Sequence, residues 1–178
     1  MKTYKFILAI IAVWGISWYL QLPSQMNENI PKTYEDSLYI EYIDYRFKAD
    51  SMLSKYNSKI TGEMLADGWL EAKREYSVDV PLELALAQAQ LESSFGNSRL
   101  ALVNKNPYNI VGRGGFAKYS SMNEGVKAYY KLMATNYLRC KSKDELLRNF
   151  TNCNGHRYAS SDSYEVALRR QINRYNMY

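Results

Sequence analysis

The sequence predicts an α+β fold that is mainly α-helical and carries one small β-hairpin. Apolar residues recur at helical spacing in several stretches after residue 33. Glycines and a proline between residues 106 and 120 interrupt that spacing and suit a hairpin. An apolar N-terminal run leaves about 150 residues behind it, which is the size of one domain with one core.

Residues 1–22 are predicted to be a transmembrane anchor or a signal segment. Two lysines precede the apolar run FILAIIAVWGISWYL, which is longer than most signal-peptide cores and shorter than a comfortable membrane span. Its distal aromatic residues suit a membrane interface and no A-x-A cleavage pattern follows, so an uncleaved anchor through residues 4–22 is favoured. The positive-inside rule then places the rest of the chain on the extracytoplasmic side, in the periplasm or cell envelope.

Residues 23–32 are predicted to be a linker, because prolines and small polar residues separate the apolar run from the first periodic stretch. The domain proper is expected to span residues 33–178. Its first helix is predicted over residues 33–60, with a break near Asp50 and Ser51, and its second over residues 63–76.

The third helix is predicted to start at Pro81, where a missing N–H costs nothing, and to run to Ser93 or Ser94 before Gly96 ends it. The hairpin is predicted to pair residues 108–111 with residues 116–119 across a turn at Gly114 and Gly115. Later helical stretches are predicted over residues 123–138, 143–150 and 163–175.

The composition narrows the classes of partner and cofactor. The formal charge of +5 is spread along the chain, which suits an acidic polymer such as cell-wall material or a membrane face, and no nucleic-acid motif is visible. Seventeen tyrosines suit contact with sugar rings, although most tyrosines in any domain are packing residues. Cys140 and Cys153 form either a disulfide, if the domain is exported, or two free thiols. With His156 they are too few for a zinc site, so no metal or cofactor is expected.

Glu92 is the residue on which a catalytic interpretation depends. The predicted third helix is apolar on nearly every side, and Glu92 lies in its last turn, one turn beyond Gln88. Partial desolvation and the negative end of the helix dipole both disfavour the charged carboxylate, so the pKa of Glu92 is expected to be raised. Such an acid can protonate the leaving oxygen of a glycosidic bond. The alternative is an ordinary ion pair with a nearby arginine such as Arg99.

A family resemblance supports the catalytic interpretation. The stretch VPLELALAQAQLESSFGNSRLALVNKNPYNIVG, residues 80–112, resembles the core of the bacterial peptidoglycan glucosaminidases related to the flagellar-rod muramidase-like enzymes, a lysozyme-like superfamily. The shared pattern is an A-Q-A-x-L-E-S helix, an aromatic-Gly-x-S break and an N-x-x-N-[IL]-x-G segment. FAKYSSMNEGVKAYYKLM and RYASSDSYEVALRRQINRYN resemble later parts of the family, so the resemblance covers a catalytic core of residues 80–176.

The resemblance implies a lysozyme-like, glycan-cleaving domain and assigns roles to its residues. Glu92 matches the general acid of the family and Tyr158 the tyrosine near the scissile bond. The segment that borders the cleft contains the candidate substrate-binding residues Asn106, Tyr108 and Asn109, and Tyr119 follows it. From their chemistry, Phe95 and Tyr108 could stack on sugars and Gln88 could hydrogen-bond Glu92.

The chain departs from the family in its β-lobe, which is truncated. Many relatives carry a second acid between the N-x-x-N segment and the Tyr-Ser pair, but only RGGFAK lies there, without a carboxylate. Glu124 is the next one, and its position after two serines is typical of a helix start. Two single-acid routes remain: hydrolysis assisted by the substrate's N-acetyl group, as in a glucosaminidase, and attack by the C6 hydroxyl, as in a lytic transglycosylase.

The expected function is cleavage of β-1,4 bonds in peptidoglycan glycan strands, most simply by a glucosaminidase. A lytic transglycosylase or a muramidase is the alternative, and an inactive glycan-binding module is the rival from another class. A scaffold that pairs through residues 33–60 is disfavoured, because that stretch has no sustained heptads. An anchored enzyme of this kind would serve wall remodelling or an envelope assembly, or the membrane-containing virion of a bacteriophage, with the corresponding envelope or virion partners.

Overall fold

A computed structural model describes residues 33–175 of the 178-residue chain. The predicted anchor or signal, residues 1–22, and the predicted linker, residues 23–32, lie outside this described part. Among the described residues, no helix is both long and apolar enough to cross a bilayer. The described part is mainly helical with one two-stranded sheet, which confirms the predicted α+β class.

Seven α-helices and two short strands follow one another along the described residues. In chain order they are α1 (Tyr34–Leu53), α2 (Gly62–Tyr76), α3 (Leu82–Ser93), α4 (Arg99–Asn104), β1 (Val111–Gly112), β2 (Gly115–Phe116), α5 (Met122–Leu132), α6 (Lys143–Arg148) and α7 (Tyr164–Tyr175). A π-helical turn, Met133–Tyr137, continues α5. The core forms where α1 packs on α2, α2 on α5 and α3 on α7.

Helix starts are set by short polar side chains. Thr61, Ser98, Ser121 and Ser142 each accept a hydrogen bond from the backbone N–H three residues later, which satisfies a donor that the first helical turn leaves free. Pro81 precedes α3 by one residue rather than opening it, so the predicted start is one residue early. The helix predicted over residues 33–60 ends at Leu53, close to the predicted break.

The hairpin is smaller than predicted. Val111 pairs with Phe116 and Gly112 with Gly115, so the turn is at Arg113 and Gly114 rather than at Gly114 and Gly115. Both strands are exposed, because no other element covers them. A two-stranded ribbon this short depends on its base for stability.

Cys140 and Cys153 form a disulfide, with their Cα atoms 5.8 Å apart. It joins the segment after the π-helical turn to the segment that leads towards Tyr158, and the Cys153 N–H also donates to the carbonyl oxygen of Asn136 at 2.8 Å. The bond thus fixes both ends of one loop. A bridge of this kind is typical of proteins that fold in an oxidising compartment.

Reduction of this disulfide is expected to lower the free energy of unfolding by about 2 to 3 kcal/mol, because the unfolded chain regains the entropy of an open loop. For a domain of this size the melting temperature should fall by roughly 5 to 10 °C. Thermal unfolding followed by circular dichroism, with and without reductant, measures the change. The Cys140→Ser/Cys153→Ser variant is the control: it should melt at the lower temperature whether or not reductant is present.

Candidate active site

The end of α3 is held by an unusual run of backbone conformations. Ser94, Phe95 and Gly96 all have positive φ, at 50°, 59° and 84°. Ser93 stabilises this run, because its buried hydroxyl donates to the carbonyl oxygen of Pro107 at 2.6 Å and accepts from the Gly96 N–H at 2.7 Å. The Ser-Ser-Phe-Gly sequence therefore ends the helix abruptly, one residue after Glu92.

Glu92 is half-buried, and its carboxyl oxygen Oε1 accepts a hydrogen bond from the Tyr164 hydroxyl at 2.9 Å. Burial raises the pKa of Glu92, and the hydrogen bond from Tyr164, together with the nearby Asn109 amide, opposes that shift without cancelling it. None of the ion pairs among residues 33–175 involves Glu92, so the alternative pairing with Arg99 does not form. The Glu92 side chain keeps part of its surface exposed, and no guanidinium among the described residues neutralises its charge.

A row of hydrogen bonds leads from the core to Glu92. The Tyr129 hydroxyl donates to Gln88 Oε1 at 2.7 Å, and Gln88 Nε2 donates to the Tyr164 hydroxyl oxygen at 3.0 Å, which in turn donates to Glu92. Gln88 was expected to contact Glu92 directly and to bind substrate. It does neither, because it is fully buried and reaches Glu92 only through Tyr164.

Tyr158 lies in the same aromatic cluster as Tyr164. The two rings stack with centroids 5.7 Å apart, and the half-buried Tyr158 donates its hydroxyl to the carbonyl oxygen of Tyr108 at 3.1 Å. Burial, followed by the negative charges of Tyr164 and Glu92 when these are ionised, raises the pKa of Tyr158 well above its usual range. Tyr158 is therefore a neutral hydrogen-bond donor at physiological pH, and its partner is a backbone carbonyl rather than Glu92.

Phe95 and Tyr108 do not offer faces to a sugar, contrary to expectation. Tyr108 is 0% exposed and stacks on Tyr129 with ring centroids 3.6 Å apart. Phe95 is 2% exposed and lies against Tyr56, at 4.8 Å between centroids. Both rings pack inward because the left-handed end of α3 and the turn after α4 direct them to the core, so their role is packing.

Asn106 is also structural rather than substrate-binding. It is 1% exposed, and its amide donates to the carbonyl oxygens of Ile110 and Ala117 while its Oδ1 accepts from the Ile110 N–H. These three bonds, here called the Asn106 clamp, close the base of the hairpin. Because the side chain is buried and both ends of its amide are bonded to the backbone, Asn106 is not presented to a glycan.

Asn109 and Tyr119 stay candidates for contact with a ligand, since both are half-buried. Asn109 has φ 50°, a left-handed conformation that asparagine tolerates well, and its amide donates to the backbone oxygen of Glu92 at 2.5 Å. The Tyr119 N–H donates to the carbonyl oxygen of Asn104, which holds the segment after the hairpin against α4.

Tyr164 and Tyr129 contact the site and were not among the predicted site residues. A signal for Tyr164 is present in the sequence, because it closes the YASSDSY motif that Tyr158 opens. Tyr129 has no such signal: it lies on α5, and only the fold brings its hydroxyl to Gln88.

No second carboxylate is available close in sequence to the hairpin. Glu124 is exposed at the start of α5, where its N–H donates to Ser121 Oγ at 3.1 Å, so the interpretation as a helix-start residue is confirmed.

Glu165 is buried, but its carboxylate is engaged in structural hydrogen bonds, since it accepts from the Phe150 N–H and from Arg157. Burial raises its pKa, but these hydrogen bonds outweigh burial and lower it, so Glu165 is charged and anchors the segment that carries Tyr158.

Two further features bear on where chemistry can occur. Within residues 33–175, no cluster of three or more His, Cys, Asp or Glu side chains could hold a metal ion.

A groove of about 800 Å³ lies between α1 and the start of α3, lined by Tyr45, Met52 and Leu82 among others. Glu92 and its neighbours are not on its wall, so this groove is separate from the candidate site.

The class of protein that this fold and site fit is a glycoside hydrolase, because protonation of a glycosidic oxygen requires a carboxylic acid whose pKa is raised, and burial raises the pKa of the half-buried Glu92. Comparison with family models agrees. The model for glucosaminidase, described as mannosyl-glycoprotein endo-beta-N-acetylglucosaminidase, matches residues 66–177. The chain therefore belongs to the glucosaminidase family and is a peptidoglycan glycosidase, which confirms the resemblance seen in residues 80–112. A search of curated proteins finds no match to the chain.

Proposed function

We propose that this glycosidase is a glucosaminidase of peptidoglycan, cleaving the β-1,4 bond on the reducing side of N-acetylglucosamine, with Glu92 as general acid and then general base. The observation that carries the proposal is the state of Glu92: half-buried, unpaired with any cation among the described residues, and raised in pKa by burial. Burial shifts a carboxyl group in that state towards its protonated form, and the exposed part of the side chain leaves it accessible to a substrate.

A single acid suffices when the substrate supplies the nucleophile. The carbonyl oxygen of the 2-acetamido group attacks the anomeric carbon while Glu92 gives its proton to the leaving oxygen, which breaks the glycosidic bond. Glu92, now a carboxylate, takes a proton from a water that attacks the same carbon and opens the ring just formed. The absence of a carboxylate from residues 112–119, and the engagement of Glu124 and Glu165 in structural contacts, support this scheme.

Tyr158 is proposed to line the site beside the scissile bond. It stacks on Tyr164, whose hydroxyl donates to Glu92, so a single side chain connects Tyr158 to the acid. Its hydroxyl is held by the Tyr108 carbonyl. We expect the Tyr158 ring to shape the wall of the site, with Asn109 and Tyr119 as the polar and aromatic contacts next to it.

Analysis of the released fragments tests the proposed bond. The purified full chain is incubated with peptidoglycan, and soluble fragments are separated by mass. Reducing N-acetylglucosamine ends are the expected result. Reducing N-acetylmuramic acid ends would instead indicate a muramidase, anhydro ends a lytic transglycosylase, and no fragments an inactive binding module.

The pH dependence of cleavage should follow the ionisation of Glu92. Because the general acid must be protonated, kcat/KM is expected to decline as the pH rises through the raised pKa of Glu92, so activity should persist above the ordinary carboxyl range. Rates measured across about pH 4 to 9 locate this limb. A decline centred at the ordinary carboxyl pKa would show that the acid which limits the reaction does not have the raised pKa expected of Glu92.

We also propose that the domain works outside the cytoplasm, attached through residues 4–22. The disulfide between Cys140 and Cys153 supports an oxidising compartment, and the basic, apolar start of the chain supports export. Alkaline phosphatase fused after Tyr178 should be active in intact bacterial cells. A second fusion, to a reporter enzyme that is active only in the cytoplasm, should be inactive. Activity of that second fusion would contradict this placement.

A further inference from the structure

The hydrogen bonds that reach Glu92 have a direction. Gln88 and Tyr129 are fully buried and Tyr164 nearly so, and all three side chains are neutral. Their atoms are spaced 2.7, 3.0 and 2.9 Å along the row from Tyr129 to Glu92. Such a row fixes the orientation of each hydroxyl, because every group donates once and in only one direction.

The Gln88 amide sets that direction, because its two ends differ. Its oxygen accepts the Tyr129 proton, and its N–H donates to the oxygen of Tyr164. The Tyr164 hydroxyl proton is then free to point to Glu92 Oε1. If the amide were turned round, Gln88 would take the Tyr164 proton, and the Tyr129 proton would lose the acceptor it has among the described residues.

The direction decides which oxygen of Glu92 carries the acidic proton. The carbonyl oxygen of a carboxylic acid is a good acceptor, whereas its O–H oxygen is a poor one. Oε1 already accepts from Tyr164, and the Asn109 amide donates to the backbone oxygen of Glu92 rather than to Oε2, so in the protonated acid the proton is on Oε2. In the reverse arrangement, Glu92 would donate its proton inward to Tyr164, away from any substrate.

We propose that Gln88 and Tyr164 are positioning residues, which hold the acidic proton of Glu92 on Oε2, the oxygen turned away from Tyr164. The proposal rests on the proposed role of Glu92 as general acid. It gives a buried glutamine and a buried tyrosine a function that packing alone would not require, since apolar groups of similar size would fill the same space without orienting a proton.

Tyr164→Phe tests the proposal, because it removes the hydroxyl and keeps the ring contacts to Phe150 and Tyr158 at 5.8 and 5.7 Å. We expect kcat to fall about 10- to 100-fold with little change in KM, which is the effect of losing one hydrogen bond to an ionisable group. Since the lost bond favours the charged form, the pKa of Glu92 should rise and the basic limb of the pH profile should move to higher pH. A purely structural role for Tyr164 would move neither.

Tyr137→Phe is the matched control. Tyr137 belongs to the same aromatic cluster, contacting Phe150 and Tyr158, but its hydroxyl is not part of the row. It should leave kcat and the Glu92 pKa unchanged. Gln88→Met, which keeps the volume and removes the amide, should lower kcat without removing the Tyr164 hydroxyl, and serves as a second variant if Tyr164→Phe folds poorly.

Carbon-13 NMR titration of the Glu92 carboxyl group separates this proposal from the proposed function, because it needs no substrate. An unchanged Glu92 pKa in Tyr164→Phe, or a kcat within about twofold of the wild type, overturns the positioning role even in an active enzyme. A wild-type protein that releases no glycan fragments overturns the proposed function instead, and the titration still reports whether Tyr164 donates to Glu92.

Discussion

Replacing Glu92 by glutamine is expected to lower the rate of glycan cleavage by about 10²- to 10⁴-fold, the range for loss of a general acid. Glutamine has the same shape and its oxygen can accept the Tyr164 hydrogen bond, but it has no acidic proton to give. Release of reducing ends from peptidoglycan, measured for both proteins under the same conditions, gives the ratio. A variant that retains more than a tenth of the activity would exclude Glu92 as the acid.

The same substitution should stabilise the fold. The pKa of Glu92 is higher in the folded protein than in the unfolded chain, so the contribution of this group to stability is complete below the unfolded pKa and is lost as the pH rises through the folded pKa. Glu92→Gln removes that loss. Its melting temperature should therefore exceed that of the wild type at neutral pH, and the gain should disappear under acidic conditions.

Glu124→Gln is the matched control for both measurements. Glu124 is exposed at the start of α5, and its backbone N–H, which the substitution keeps, makes the capping bond to Ser121. Activity should be unchanged. Equal losses in Glu92→Gln and Glu124→Gln would indicate a general effect of charge on binding to the wall polymer rather than acid catalysis.

Gly125→Ala, which adds one methyl group, is expected to lower the free energy of unfolding by about 3 to 5 kcal/mol. A Cβ at this position would lie 2.1 Å from the carbonyl oxygen of Lys105 and 3.0 Å from Pro107 Cδ. The first obstacle is backbone, which cannot rotate away as a side chain can. Helix α5 would have to move off the segment that carries Tyr108 and Asn109, so activity should fall with stability.

Gly114→Ala is the control for Gly125→Ala. Gly114 lies in the hairpin turn, its φ is not positive, and a Cβ there would meet no atom within 4 Å. Chemical denaturation of the two variants should place Gly114→Ala within about 0.5 kcal/mol of the wild type. If both glycines tolerate alanine equally, the close approach of α5 to Lys105 is not present in solution.

Helix ends predicted from periodicity were confirmed where a local start or stop signal accompanies the pattern. Helix α2 starts at a threonine cap, and α3 stops where Ser94 and Gly96 leave the helical conformation. The predicted position of the hairpin turn was wrong, because the glycines at 114 and 115 suit a turn equally well. Only the pairing of Val111 with Phe116 decides between them.

The candidate site was only partly predictable, because a motif shows which residues recur and not which atoms meet. Glu92 could be placed at a helix end and given a raised pKa from its neighbours in sequence. Whether Tyr108 faces a ligand or stacks on Tyr129 depends on contacts between elements far apart in the chain. The same holds for Gln88, whose partners are 41 and 76 residues away.

The Asn106 clamp separates the hairpin mechanically from the rest of the domain. Its hydrogen bonds hold Ile110 and Ala117 next to each other. The segment between these two residues therefore starts and ends at fixed positions. The tip meets nothing that would resist a longer insert, since a side chain added at Gly114 or Gly115 has open space around it. We therefore expect that a longer loop can replace the hairpin without disturbing the helices. Such a loop could carry an additional carboxylate.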